Sequence, residues 1–407
     1  MIKTDNIYFY LIVLTIIATV VSPVVVGFLD EFIALLFGAI VALDIVVNRK
    51  WKDYSILYIM VGIMVFYAIL SVTLYQFNST KAILYDFVLQ LKPLVPFAIS
   101  YVACPLMTKA QKKVIRVLCI AITIVTAIIF FIGATDMVLE HVSVLGNTIF
   151  TLFVFYLYFA IDDDGQVSRK RLIIALVIVT VGLLSTRSKY YGEFGLAVFI
   201  MFIYKPGMFK SLKPSYIFAF CVMVVAVFIA IYPKLEYYFF QDIVNNITED
   251  EDMSFARPAL YYGMGQIISD YPIFGTGLAS YAVYASTPNV DYSALYADYN
   301  LDKVWGLSED YPAFICDTFY PELAQFGIVG IILFIVMWCW IYQRLRIILR
   351  QGDKYRFMIG VLCIAFILIE STTNSTFTKL YGEAIMMLLG IIIAPTRRMS
   401  REEKISL

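Results

Sequence analysis

Residues 109–134 read KAQKKVIRVLCIAITIVTAIIFFIGA, a polar basic start followed by a nearly uninterrupted apolar run. A helix rising 1.5 Å per residue crosses a hydrocarbon layer of about 30 Å in about 20 residues. The run from Val114 to Ala134 has that length, with Arg116 as its one charge near the basic end. Barrel strands alternate apolar and polar residues over about 10 positions, and this stretch does not alternate. It reads as a membrane-spanning helix with a positively charged entrance.

The same pattern recurs along the 407 residues, and predicts spans near 7–28, 32–48, 55–76, 83–105, 114–134, 146–161, 172–186, 191–206, 215–233, 323–343, 357–371 and 380–395. The fold expected is an all-α polytopic membrane protein of about twelve transmembrane helices. Composition agrees: 61% of residues are hydrophobic and 15% charged, and mean hydropathy is +0.82. A soluble domain is nearer half apolar and a quarter charged. A soluble enzyme, a DNA-binding protein and a secreted disulfide scaffold are excluded. The first apolar run lacks a small-residue cleavage site and is expected to remain as a span.

Net charge is zero, with 31 Lys+Arg against 31 Asp+Glu, so placement carries the information. With both termini on one side, alternating connections put 23 of the 31 basic residues on that side, including Lys109, Lys112, Lys113, Arg169, Lys170 and Arg171. The other side holds Lys81, Arg187, Lys189, Lys234, Arg257, Lys303 and Lys379. The positive-inside rule then places both termini in the cytoplasm. Three regions follow: spans 1–9 over 1–233, one large partly helical external loop over 234–322, and spans 10–12 with a cytoplasmic tail over 323–407.

The external loop is rich in Tyr, Asp and Pro. A helix is expected from Arg257-Pro258, since proline suits a first turn, ending at Tyr271-Pro272. Gly275-Thr276-Gly277 reads as a turn, and Asp310-Tyr311-Pro312 as the start of another helix. Its tyrosines fit two uses, stacking against sugars or anchoring at the membrane interface. The six cysteines have no CxxC spacing and there is one histidine, His141, so no metal site is expected. Asp44 and His141 are read as structural.

Few charges on the external side invite chemistry. Arg187 and Lys189 lie in Ser185-Thr186-Arg187-Ser188-Lys189-Tyr190 at a hinge between spans. A guanidinium fork with an ammonium and hydroxyls suits a phosphate or pyrophosphate; the alternative is snorkelling to headgroups. Arg257, at a helix start, favours an anion or pairs with the acidic stretch from Glu249 to Asp252. Lys92, beside Pro93 and Pro96 inside a span, is costly there unless paired or hydrated; Asp86 is one possible partner. Asp317 is either a helix N-cap or a carboxylate available for proton transfer. Glu370 opens the polar end Glu370-Ser371-Thr372-Thr373-Asn374, which either lines a sugar cavity or ends a span. Glu193, Glu322 and Glu383 complete the acidic candidates.

Three segments, in order, resemble the O-antigen polymerase and ligase family of bacterial membrane glycosyltransferases. They are Ser185–Lys189, Arg257-Pro258 with Tyr271-Pro272-Ile273-Phe274-Gly275-Thr276-Gly277, and Asp317-Thr318-Phe319-Tyr320 leading into Gly327-Ile328-Val329-Gly330. The resemblance implies a GT-C-like architecture in the bacterial plasma membrane with an outward-facing site. It implies a metal-independent transfer between undecaprenyl-pyrophosphate-linked oligosaccharides, in making O-antigen, capsule or another exopolysaccharide. Arg187, Arg257 and Asp317 are then the expected catalytic residues, and Lys189, Tyr190, Lys92 and Glu370 contact substrate. The bilayer is a partner, a chain-length regulator protein is an optional one, and nucleic acid is not. No cofactor, nucleotide or metal is expected. Family ligases have a histidine in the third segment, where this chain reads Cys316-Asp317, so polymerase is preferred over ligase. A flippase or other transporter is the alternative from another class.

Overall fold

The computed structural model describes residues 4–25, 29–48, 51–135, 139, 142–203 and 256–396. His141, Tyr237, Tyr238, the acidic stretch 249–252 and the ninth expected span, 215–233, lie outside the described residues. Among the described residues there is no strand. The helices are α1 (Thr4–Val25), α2 (Leu29–Asn48), α3 (Ser55–Leu70), α4 (Thr80–Leu91), α5 (Leu94–Ala103), α6 (Lys109–Phe131), α7 (Val142–Phe159), α8 (Arg169–Val181), α9 (Ser188–Val198), α10 (Ala256–Asp270), α11 (Gly327–Arg350), α12 (Lys354–Glu370) and α13 (Leu380–Ile393).

Among the described residues, four helical stretches are long and apolar enough to cross a membrane: Trp51–Tyr75, Thr80–Ala103, Lys109–Phe131 and Tyr320–Arg350. Apolar side chains of three of them, Trp51–Tyr75, Lys109–Phe131 and Tyr320–Arg350, are widely exposed, among them Ile59, Ile69, Ile128, Phe131, Ile332 and Val336, whereas Thr80–Ala103 is mostly buried. Such patches are unfavourable against water and suit hydrocarbon. Hydroxyls inside the helices return to their own backbone, Thr123 donating to the Cys119 carbonyl at 2.8 Å and Thr180 to Leu176 at 2.7 Å. That satisfies the polar group without water.

α13 is different, because every residue of it is buried. Its 14 residues span only about 21 Å, which serves a helix wrapped in protein. Between helices, close approach and hydrogen bonds do the work that water does in soluble proteins. Tyr381 of α13 and Thr148 of α7 both donate to the Thr19 carbonyl of α1, at 3.2 and 3.1 Å. A Cβ on Gly390 would stand 2.4 Å from the Phe97 carbonyl oxygen of α5. Gly390→Leu is therefore expected to push α5 off α13 and cost about 1–3 kcal/mol or more. A lowered unfolding temperature in detergent checks it; an unchanged one would refute this packing.

The connections sort into two ends. At one, Lys109 pairs with Asp163 at 2.9 Å, Arg171 with Asp162 at 2.5 Å, and Arg116 donates to the Phe159 carbonyl at 2.8 Å. At the other, the α3–α4 turn, the α8–α9 hinge, the loop 256–326 and the segment 370–378 meet. Segments assigned to one side by their basic residues thus contact one another.

The loop 256–326 has its own small core. α10 runs over the stretch expected after Arg257-Pro258. Tyr281, Tyr296 and Tyr292 stack with centroids 5.6 and 5.2 Å apart. Tyr281 donates to the Leu260 carbonyl at 2.8 Å, Tyr292 to Leu307 at 2.7 Å, and Tyr296 accepts from the Ala282 N–H at 2.8 Å. Burial pushes the Tyr281 and Tyr296 hydroxyls well up, so they stay protonated. These rings are neither sugar platforms nor membrane anchors; they are the loop's interior. The exposed set includes Tyr262, Trp305 and Tyr311.

The glycine turn is the socket of α11. The carbonyls of Pro272 and Ile273 accept from the N–H groups of Ile328 and Val329, at 2.8 and 3.1 Å. Those are first-turn donors with no partner inside their own helix. Gly275, at φ +68, comes so close to the 324–327 backbone that a Cβ would lie 2.2 Å from the Ala324 oxygen. Ser71 accepts from the Leu278 N–H and Asp86 from the Ala279 N–H, both at 2.7 Å, fixing the turn to α3 and α4.

One expected element is absent. Asp310-Tyr311-Pro312 starts no helix. Turns run to Phe319, whose N–H donates to the Ser371 carbonyl at 3.2 Å, and a 3-10 segment follows over Tyr320–Phe326. The backbone donor a helix would need is taken by the end of α12. Asp317 accordingly caps nothing. Asp44 is structural as read, accepting from the Tyr54 hydroxyl at 2.8 Å.

Candidate functional site

The α8–α9 hinge is built to aim two cations. After α8 the chain tightens into a 3-10 turn over Gly182–Ser185, and Thr186 turns at φ 52 into the left-handed region. Arg187 follows, extended, as the residue before α9. Tyr190 is buried; its hydroxyl donates to the Val179 carbonyl at 2.7 Å, and its ring fills the space over Gly182. Tyr190 thus locks the hinge from inside. That fixes the directions in which Arg187 and Lys189 leave it.

Lys189 meets Glu370, the last residue of α12, with Nζ 2.5 Å from Oε2. Glu370 is 1% exposed. With its amide turned to satisfy its neighbours, Asn147 of α7 donates to Glu370 Oε2 at 2.9 Å and accepts from Asn374 at 3.3 Å. Lys379 then donates to Asn374 at 2.9 Å. Glu193, one turn beyond Lys189 on α9, is also 1% exposed. It lies on the same helix face as Lys189, and neither of its carboxylate oxygens has a hydrogen-bond partner among the described residues.

The second half comes from the loop. Arg257, in the first turn of α10, donates through Nη2 to Asp317 Oδ2. This pair is open, its side chains 40% and 26% exposed, against 18% and 1% for Lys189 and Glu370. Arg257 Nε is buried without a partner among the described residues. Tyr261, one turn on, donates to the Thr372 carbonyl at 2.9 Å. Partial burial pushes its hydroxyl up to about 12, with Tyr320 adding and Arg257 opposing, so it remains a donor at neutral pH. Tyr320 donates to Leu368 at 2.6 Å, and Ser375 to the Cys316 carbonyl at 2.9 Å.

The C-terminal end of α12 is therefore where both halves meet. Lys189 arrives through Glu370, with Arg187 two residues before it on the hinge; Arg257 and Asp317 arrive through Thr372, Ser371 and Ser375. Lys92 belongs to a separate element. It is 4% exposed at the break between α4 and α5. Asp86, its suggested partner, accepts from Ala279 N–H and from Gln90 at 3.1 Å, and Gln90 also donates to Glu322. Asp86 is thus engaged in holding the loop.

Sequence reasoning passed over Asn147 and Lys379. A lone asparagine in an apolar span was the available signal for the first, since intramembrane polar groups usually have a partner. Lys379 gave none beyond its side.

What this arrangement can do follows from its charge. Guanidinium and ammonium groups around one helix end bind a polyanion, and their carboxylate partners occupy the place an anion would take. The sequence model of the family described as O-Antigen ligase matches residues 172–307. That stretch, about a third of the chain, contains Arg187, Lys189, Arg257 and the Gly275–Gly277 turn, and over it the chain is similar to that family. Asp317 and Glu370 lie beyond it. No curated protein matches the chain.

Proposed function

We propose that this protein is a polysaccharide polymerase of the bacterial plasma membrane, joining undecaprenyl-pyrophosphate-linked repeat units at a site facing outward. The observation that carries this reading is the meeting of the Arg187–Lys189 hinge and the Arg257–Asp317 pair at the end of α12. The similarity to the O-antigen ligase family over residues 172–307 supports it. The proposed architecture is GT-C-like, with about twelve spans, both termini cytoplasmic, and the loop 234–322 outside.

In the proposed reaction, an acceptor sugar hydroxyl attacks the anomeric carbon of the donor glycan. The carbon–oxygen bond to pyrophosphate breaks, a glycosidic bond forms, and undecaprenyl pyrophosphate leaves with the bond electrons. Charge grows on the leaving phosphate, where preorganised cations are most effective. Arg187 and Arg257 take that role, with Lys189 beside them. Without substrate, Asp317 neutralises Arg257. The pyrophosphate displaces it, and Asp317 then accepts the hydroxyl proton. Arg257 Nε, without a partner among the described residues, supplies a further donor. No metal and no nucleotide takes part.

The test is the purified protein in nanodiscs with a lipid-linked repeat unit as sole substrate. Ladder products longer than one repeat support polymerisation. Transfer only to a separate lipid or protein acceptor supports the ligase reading. A topology test is independent: a reporter at Lys303 is expected outside and one at Asp163 inside. Both on one side would refute the orientation and the outward site.

A further inference from the structure

A second site lies at the other end of α10. The α3–α4 turn and the loop enclose an open cleft of about 610 Å³, lined by Ser71, Gln76, Phe77, Asn78, Thr80 and Asp291 among others. The cleft is a designed junction rather than a gap. Asn78 donates to the Asp291 carbonyl at 2.7 Å, and the Ser79 N–H to the Asp291 carboxylate at 2.5 Å. Gln76 holds a left-handed conformation, φ 49, that turns the chain around the rim. Tyr75 and Phe77 stack at 6.4 Å, and Tyr271 meets both edge-on at 6.0 and 5.8 Å.

Three features select the ligand. Amides, hydroxyls and a carboxylate offer both donors and acceptors, as a polyhydroxylated ligand requires. One aromatic ring in the lining, Phe77, suits an apolar sugar face. Asp291, the one charged residue in the lining, repels phosphate, which disfavours a lipid headgroup. Position agrees. Arg257 begins α10 and Tyr271 follows its last residue, so the helix separates the cleft from the cation site by about 20 Å. An extended glycan whose pyrophosphate sits at Arg257 could reach this cleft with sugars remote from the reacting bond.

We propose that this cleft is a glycan-binding subsite that grips neutral sugars of a lipid-linked chain away from its pyrophosphate end; this rests on the polymerase reading above. The test uses the full-length protein in nanodiscs and soluble oligosaccharides, free of pyrophosphate, released by mild acid from the source organism's surface polysaccharide. Binding is read by calorimetry. Wild type is expected to bind. Thr80→Trp, an exposed position where a large ring fills the cleft, and Phe77→Ala, which removes a rim ring, are each expected to weaken binding at least tenfold. Thr80→Trp decides the matter should Phe77→Ala not fold. Arg257→Ala is expected to bind the oligosaccharide as wild type does. No binding by wild type, unaltered binding by Thr80→Trp, or competition by glycerol phosphate would overturn the proposal. The two readings fail separately. Absent binding beside a polymerisation-dead Arg257→Ala removes the subsite alone. Cleft-dependent binding beside a fully active Arg257→Ala removes the catalytic assignment and leaves the sugar site.

Discussion

Arg187→Ala and Arg257→Ala are each expected to lower chain extension about a hundredfold or more while leaving protein level unchanged. A charge-assisted hydrogen bond contributes about 1.5–3 kcal/mol, and a donor that acts on developing transition-state charge about 2.7–4 kcal/mol, or 10²–10³ in rate. Folding is affected far less. The Arg257–Asp317 pair is partly exposed, and exposed pairs contribute about 0–1 kcal/mol. Lysine at either position should restore only part of the rate, because an ammonium cannot reproduce the planar fork. The double mutant should be little worse than either single, since residues acting as a unit are not additive. Asp317→Asn separates the roles of the pair. It removes the carboxylate that competes with pyrophosphate, so inorganic pyrophosphate should bind more tightly, while turnover falls for want of a proton acceptor. A fully active Arg257→Ala, or weaker pyrophosphate binding by Asp317→Asn, would count against this site.

The legible part of the molecule was what periodicity and charge encode. Long apolar runs with basic entrances marked the helices, and the scarcity of cations on one side singled out Arg187, Lys189 and Arg257. Proline and glycine marked both ends of α10. What stayed hidden was pairing over long sequence separations. Nothing local says that Lys189 meets Glu370, 181 positions away, or that Arg257 meets Asp317, 60 positions away. The missing helix after Pro312 has the same origin. Local signals favoured it, but the N–H groups of Phe314 and Phe319 donate to Gly306 and to the distant Ser371 instead of to a helix of their own. The tyrosines misled for a related reason: composition reports an aromatic-rich loop but not which rings face its interior.

Lys189→Met is expected to be the most damaging change to folding, and it distinguishes binding from structure. Glu370 and Glu193 are both 1% exposed, and Lys189 is the cation that pairs with Glu370 at 2.5 Å. Removing one partner of a buried ion pair costs about 3–5 kcal/mol, because the other charge is left uncompensated. Lys189→Met should therefore express poorly and melt early. Glu370→Gln added to it should recover part of the folding, since it removes the carboxylate that Lys189 paired with and Asn147 can still donate to the new amide's oxygen. Glu193→Gln alone should be neutral or stabilising, as it relieves two acids crowded against one lysine. Activity then decides the function of the ammonium. If Lys189 touches the pyrophosphate, the refolded double mutant stays well below wild-type turnover, with its largest loss in donor affinity. If Lys189 only balances charge, turnover returns with the fold. A double mutant no more stable than Lys189→Met would show that the buried pair is not what holds the α9–α12 contact together.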